Sequence, residues 1–188
     1  MALSEDTALD LEIRYTTDGS IPARNSPLYI TPLSISASTR LKVKAFGPNG
    51  SESLLTGATF IRLTSDAASF SSNLPLVLID SFNGGGIPQN VHQDVFLAIF
   101  DTDGQRSTLN ETPEVSTTAG IKIRGSSTSG RPKPSLTVES RDIYGRDQNI
   151  TPLGMPSESD WILWGPYNFD LALIRNPLIY ELSKRIGR

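Results

Sequence analysis

The chain has 188 residues, 37% of them apolar, enough for one medium domain or two small ones that bury a shared core. Seventeen basic and 20 acidic residues leave a formal charge of −3, so there is no overall attraction to nucleic acid or an anionic membrane, and any anion site has to be local. With no cysteine and a single histidine, His92, the chain excludes disulfides, thiol catalysis, zinc knuckles, iron–sulfur clusters and a His-rich metal site; no apolar run approaches the roughly 18 residues that span a bilayer.

Short alternating stretches at 12–16, 33–35, 40–46 and 58–63 are separated by turn chemistry at Asp18-Gly19, Pro27, Pro32 and Pro48-Asn49-Gly50. In 40–46, Leu41, Val43 and Ala45 point one way and Lys42 and Lys44 the other, the pattern of a strand with one face in a core and one in water. This predicts a small β-sandwich over residues 1–63. Residues 64–74, rich in Ser, Ala and Asp, have little to bury and read as a linker. Beyond them, 74–79, 95–100, 120–124 and 135–139 read as strands, with a hairpin turn at Asp103-Gly104.

A helical period appears only near the end, where Leu171, Ile174, Leu178, Leu182 and Ile186 recur at three or four residues. Pro177 interrupts this run, so either the helix bends there or Asn176 caps a fresh helix with Pro177 at its first position; the second reading is preferred. Gly187 can stop it. The fold class expected is mainly β with one C-terminal helix. No internal repeat is found. Residues 1–9 offer no covering strand and the chain stops just after a helix has finished, so both ends read as cut.

The segments YTTDGSIP (15–22), SPLY (26–29) and TRLKVKAFGPNGSES (39–53), in that order and spacing, resemble the immunoglobulin-like module found at the C-terminus of chitobiases and β-hexosaminidases and appended to many secreted bacterial proteins. The resemblance covers about residues 9–63 and implies an accessory β-sandwich without catalytic residues. Asp18 then reads as a turn former rather than an acid.

A second resemblance begins at GIKIRGSSTSGRPKPSLTVES (120–140), continues through LGMPSESDWILWGPY (153–167) and finishes with LIRNPLIYELSKRIGR (173–188). These blocks resemble the spore-coat protein H (CotH) kinase family, an atypical protein-kinase-like group, over about residues 75–188. The resemblance implies the N-terminal part of a kinase-like domain, a β-rich, α+β partial N-lobe. The family's metal-binding acids and catalytic loop would lie beyond Arg188, and the fragment alone is then expected to be inactive.

Phosphoryl transfer depends on positioning a triphosphate and neutralising its charge, which calls for a backbone loop with free donors, a lysine and acid-held magnesium. Gly125-Ser126-Ser127-Thr128-Ser129-Gly130, followed by Arg131 and Lys133, lies between two predicted strands. Such a loop lets amide hydrogens approach an anion closely. From Lys122 to Arg146 there are six basic residues (Lys122, Arg124, Arg131, Lys133, Arg141, Arg146) against two acidic ones (Glu139, Asp142), about +4 in a chain whose remainder sums to −7. The bland reading is a solvated hairpin loop with exposed charged strand faces. By analogy with the family, Arg124, Gly125, Ser126, Ser127, Arg131 and Lys133 become the candidate nucleotide-phosphate contacts. The family often has a second lysine after Lys133, where Pro134 stands, so which base reaches the nucleotide stays open. Glu181 either orients Lys133, as a helix carboxylate does in kinase-like folds, or pairs with Arg185 on its own helix.

Trp161, Trp164 and Tyr167, beside Ile162 and Leu163, read as core between sheet and helix, with Ser157, Glu158 and Asp160 as turn and cap. Gly84-Gly85-Gly86 lacks the strand and helix of a dinucleotide site, and Asp101-Thr102-Asp103-Gly104 has Thr112 where a calcium loop needs Glu. His92 lacks a nucleophile partner for a hydrolase triad. Together these features predict a fragment of a secreted or surface bacterial protein whose parent uses ATP and Mg2+ to phosphorylate Ser or Thr hydroxyls of a coat or envelope protein. The rival is a non-catalytic adhesion protein presenting surfaces to polysaccharide, which exposed aromatics would favour; a chitin hydrolase would need a paired acidic site that the chain does not supply.

Overall fold

The structure, a computed structural model, describes residues 11–82, 85–102, 104–167 and 170–187. Residues 1–9, Gly84, Asp103 and Arg188, which enter the sequence reading, lie outside the described set.

The first module gives β1 (Glu12–Thr16), β2 (Thr39–Phe46) and β3 (Thr56–Phe60), an antiparallel sheet in the order β1-β2-β3. Turn chemistry sets its connections. Asp18 is the turn former expected: its carboxylate accepts from the amide and hydroxyl of Ser20 at 2.9 and 2.7 Å, which holds the acid below the usual carboxylate range. The expected strand at 33–35 does not form; 32–38 carries no ladder, and Pro32 cannot donate to one.

The segment read as a linker has structure of its own. Helix α1 (Ser65–Ser69) is capped by Thr64, whose hydroxyl accepts from the Ala67 amide at 3.3 Å, and β4 (Ser71–Ser72) pairs with the later β7 (Ser107–Thr108). Arg106 adds bonds to the Ser71 carbonyl and hydroxyl at 2.7 and 3.0 Å.

Between and after these lie β5 (Leu76–Asp80), β6 (Gln93–Phe100), β8 (Val115–Arg124), β9 (Ser135–Arg141) and β10 (Asp160–Leu163), an antiparallel sheet in the order β10-β9-β8-β6-β5. Helix α2 (Arg175–Arg185) follows. The register sets Val95 beside Ala119, and Ile121 and Trp161 beside Val138. Side chains alternate across a strand, so these residues share one face; with Leu97 and Ile150 they form the buried core. The opposite face carries Asp94, Phe96, Thr118, Glu139 and Arg141, and the small sheet lies against it: Ser38 Oγ donates to Asp80 at 2.8 Å, and the Leu55 amide donates to the Tyr144 hydroxyl at 3.3 Å. Lys42, expected in water, therefore faces the gap between sheets and is half-buried, whereas Lys44 pairs with Glu52 at 2.5 Å.

Four expectations about the last segment are corrected. Asp160, read with Ser157 and Glu158 as turn and cap, instead opens the edge strand Asp160–Leu163. Trp161 packs against the core, but Trp164 is 36% exposed, because the strand ends before it and nothing covers its outer side fully. Helix α2 starts at Arg175, so Asn176 and Pro177 stand inside its first turn; Ile174 holds the N-cap position without a side-chain bond, and the first amides are taken from outside the helix by Asp170, whose carboxylate accepts from the Ile174 and Arg175 amides at 3.4 and 3.0 Å. No residue of α2 is buried, and the stripe of Leu178, Leu182 and Ile186 is exposed rather than packed on the sheet.

Candidate functional site

Antiparallel β8 and β9 are joined by residues 125–134, and the pairing of Arg124 with Ser135 closes the root of this loop. Gly125 leaves the strand at φ +101°, a left-handed turn that side-chain-bearing residues rarely make. The loop is tied at few points. Ser129 Oγ donates to the Ser126 carbonyl at 2.8 Å, the Arg131 amide to Thr128 O at 3.2 Å, and the Gln89 side-chain amide to Gly125 O at 3.3 Å. Among the described residues, the amides of Ser126, Ser127, Thr128, Ser129 and Gly130 meet no carbonyl acceptor. The donors an anion needs are therefore not consumed within the loop.

The far end of the loop is fixed by tight backbone packing. Gly165, just past β10, has its amide donated to Ser135 Oγ at 3.1 Å and lies so close to the Lys133 and Pro134 carbonyls that a methyl group there would come within 2.7 and 2.5 Å of them. Beside this root opens a cleft of about 480 Å³ lined by Arg124 and Ser135 of the strands, Ile162 and Trp164 of the β10 edge, and Asn176, Pro177 and Tyr180 of α2. Its size falls within the roughly 300–1,000 Å³ of small-molecule sites.

Of the residues singled out by sequence, the fold places Arg124, Gly125, Ser126 and Ser127 on one exposed loop root and Lys133 exposed at its other end. Among the described residues, neither Arg124 nor Lys133 has an ion-pair partner. Glu181 takes the second of its two readings: Arg185 Nε donates to its carboxylate at 2.9 Å, one turn along α2. Trp164, Asn176 and Tyr180 were not anticipated as lining residues. Trp164 lies just past the end of an edge strand, and the exposure of Tyr180 depends on α2 lying off the core, neither of which periodicity reveals. Among the described residues no three His, Asp or Glu side chains gather to hold a metal ion.

Residues 121–188 match the family of the CotH kinase protein, and residues 2–56 match the chitobiase/beta-hexosaminidase C-terminal domain. The chain thus has a segment similar to the chitobiase/beta-hexosaminidase C-terminal domain followed by one similar to the CotH kinase protein. The CotH match opens at Ile121 inside β8 and takes in the loop, the β10 edge and α2, that is, every element lining the cleft. Residues 75–119, to which the sequence resemblance also extended, precede the matched segment. Neither a curated protein nor a solved structure gives a significant match. No helix among the described residues is long and apolar enough to cross a membrane.

Proposed function

We propose that the loop of residues 125–134 and the cleft at its root bind the phosphates and base of a nucleotide, as the phosphate-holding part of a CotH-type protein kinase. The observation that carries this reading is the run of loop amides from Ser126 to Gly130 without carbonyl acceptors, flanked by Arg124 and Lys133 without acidic partners. Arg124 and Lys133 would neutralise phosphate charge, the amides would fix its orientation, and Trp164 and Tyr180 would offer flat surfaces to a base. ATP supplies the transferred phosphoryl group when bound. With no metal-holding cluster among the described residues, Mg2+ would arrive on the nucleotide's phosphates. In this reading the protein acts at the bacterial cell surface or outside the cell, on Ser or Thr hydroxyls of a coat or envelope protein.

Titration calorimetry with ATP and Mg2+ tests the site. Weak binding is expected, falling at least about tenfold in Lys133→Ala and in Arg124→Ala, the loss of one charge-assisted hydrogen bond each. Strong binding unaffected by either substitution would remove the assignment.

A second reading, adhesion to a polysaccharide, gains from the partial exposure of Trp164 beside the exposed Ile162 and Tyr180. Sugar rings stack on exposed aromatic faces, so soluble polysaccharide would quench Trp fluorescence in the wild type and not in Trp164→Ala, with ATP having no effect.

A further inference from the structure

A second cavity, of about 570 Å³, lies between the two sheets and is separate from the phosphate loop. One wall is the polar face of the large sheet, with Phe96, Thr118 and Arg141; the other is β2 and β3, with Arg40, Lys42 and Thr59. Arg141 lies flat over the strand because Gly120 leaves room: a methyl group there would stand 2.6 Å from the guanidinium.

The carboxylates around this cavity are engaged by groups other than Lys42. Asp94 is held by Arg141 at 2.9 Å and faces Arg40 at 3.6 Å. Asp142 is taken by Arg146, whose guanidinium reaches it at 2.6 Å, and by the amides of Tyr144 and Arg146 at 2.8 and 2.9 Å. Glu139, at the rim, is engaged by Arg141 and by His92 Nδ1 at 3.5 Å. Asp18 is taken by the amide and hydroxyl of Ser20 at 2.9 and 2.7 Å, so these carboxylates hold other donors and act on Lys42 only through space. On the cationic side, no ion pair among the described residues includes Lys42, and Arg40 Nε is buried without a hydrogen-bond partner. Burial first and the charge of Arg40 second hold the Lys42 ammonium below the usual lysine range, against the opposing charges of Asp94, Asp142 and Asp18. A half-buried cation without a direct hydrogen-bonded partner is costly to keep, and a threonine or methionine would fill the position without that cost.

We propose that the cavity between the two sheets binds a small anionic molecule, one presenting a carboxylate or a phosphate group to Lys42 Nζ. Its volume lies within the range of small-molecule sites, and its mixed walls, half apolar with hydroxyls at Thr59 and Thr118, suit a polar organic anion. The two walls come from different sheets, so the ligand bridges the two modules and favours their docked arrangement by mass action.

Two probes separate the sources of the charge. Inorganic phosphate and sodium glucuronate are each titrated into the full chain at constant ionic strength, and amide shifts are followed by two-dimensional NMR. Saturable shifts at residues 40–42, 57–59 and 141–143 are expected with at least one of them; phosphate alone identifies a phosphate ligand and glucuronate alone a carboxylate. In Lys42→Met the affinity should fall at least about tenfold while the melting temperature is kept or raised, and Lys42→Arg should retain binding. Absence of saturation at these amides with both probes overturns the proposal, as does unchanged affinity in Lys42→Met. Shifts confined to residues 125–134 would report on the phosphate loop and count against the inter-sheet site.

Discussion

A side chain at Gly165 has nowhere to go, since the atoms it would meet are the backbone oxygens of Lys133 and Pro134. Relief requires moving either the loop or the β10 edge, so Gly165→Ala is expected to cost about 2–3 kcal/mol in urea denaturation and to disturb the loop root. The contrast is Gly120→Ala, where the added methyl meets only the far end of Arg141 at 2.6 Å. That guanidinium can swing away at the expense of its ion pairs, so a loss of about 1 kcal/mol or less is expected. Lys42 belongs to the same scale. Its folded value is depressed, so the unfolded chain holds more protons between that value and 10.5, and stability rises with pH through this window. In Lys42→Met the rise should vanish, which alkaline urea titrations of both proteins would read out.

Helix α2 shows how an element's start is decided by a residue outside it. Asn176 is a good cap by type, yet the carboxylate that accepts the first amides is that of Asp170, which is 2% exposed. Asp170→Ala should therefore cost about 1–2 kcal/mol and reduce the helical circular-dichroism signal. Asn176→Ala should leave stability within about 0.5 kcal/mol. Equal effects from the two would mean that the cap lies where periodicity and residue type alone place it. The strands were more legible than the helix start. Alternation in 40–46 marked β2, since a period of two survives in a half-buried strand, while the apolar run 95–100 and the stretches 120–124 and 135–139 marked β6, β8 and β9. The strand at 160–163 was hidden by its aromatic content, which suits core and edge strand alike. The apolar stripe of α2 was correctly read as a helix, and its exposure was not, since periodicity reports a face without saying what it meets.

Across the whole molecule the sheets are joined by polar contacts: Ser38 to Asp80, Tyr144 to the Leu55 amide, Arg40 to Asp94, and Arg40 over the Phe82 ring at 4.7 Å. Beside them Glu139 is held below its ordinary 4.5 chiefly by the hydrogen bond from Arg141, and Asp142 below 3.8 by the Arg146 amide and guanidinium. Carboxyls depressed in the folded state stabilise it above their unfolded values, and the contribution is lost as pH falls through the folded ones. Urea midpoints should therefore hold between pH 7 and about 5 and decline below about 4.5, with a shallower decline in Glu139→Gln; an equally steep decline in that variant would detach the effect from Glu139. The β-rich class, the order of the two family segments and the Gly/Ser loop with its basic flanks were all determined by the sequence alone, because alternation, turn residues and local charge are properties of neighbours along the chain. Only the tertiary structure decided that β4 pairs with β7 from within the apparent linker, that Trp164 and Tyr180 line a cleft, and that Lys42 lies between two sheets without a direct ion-pair partner. Those outcomes depend on which surfaces meet across long separations in sequence, and a one-dimensional pattern carries no record of the surface a strand or helix will face.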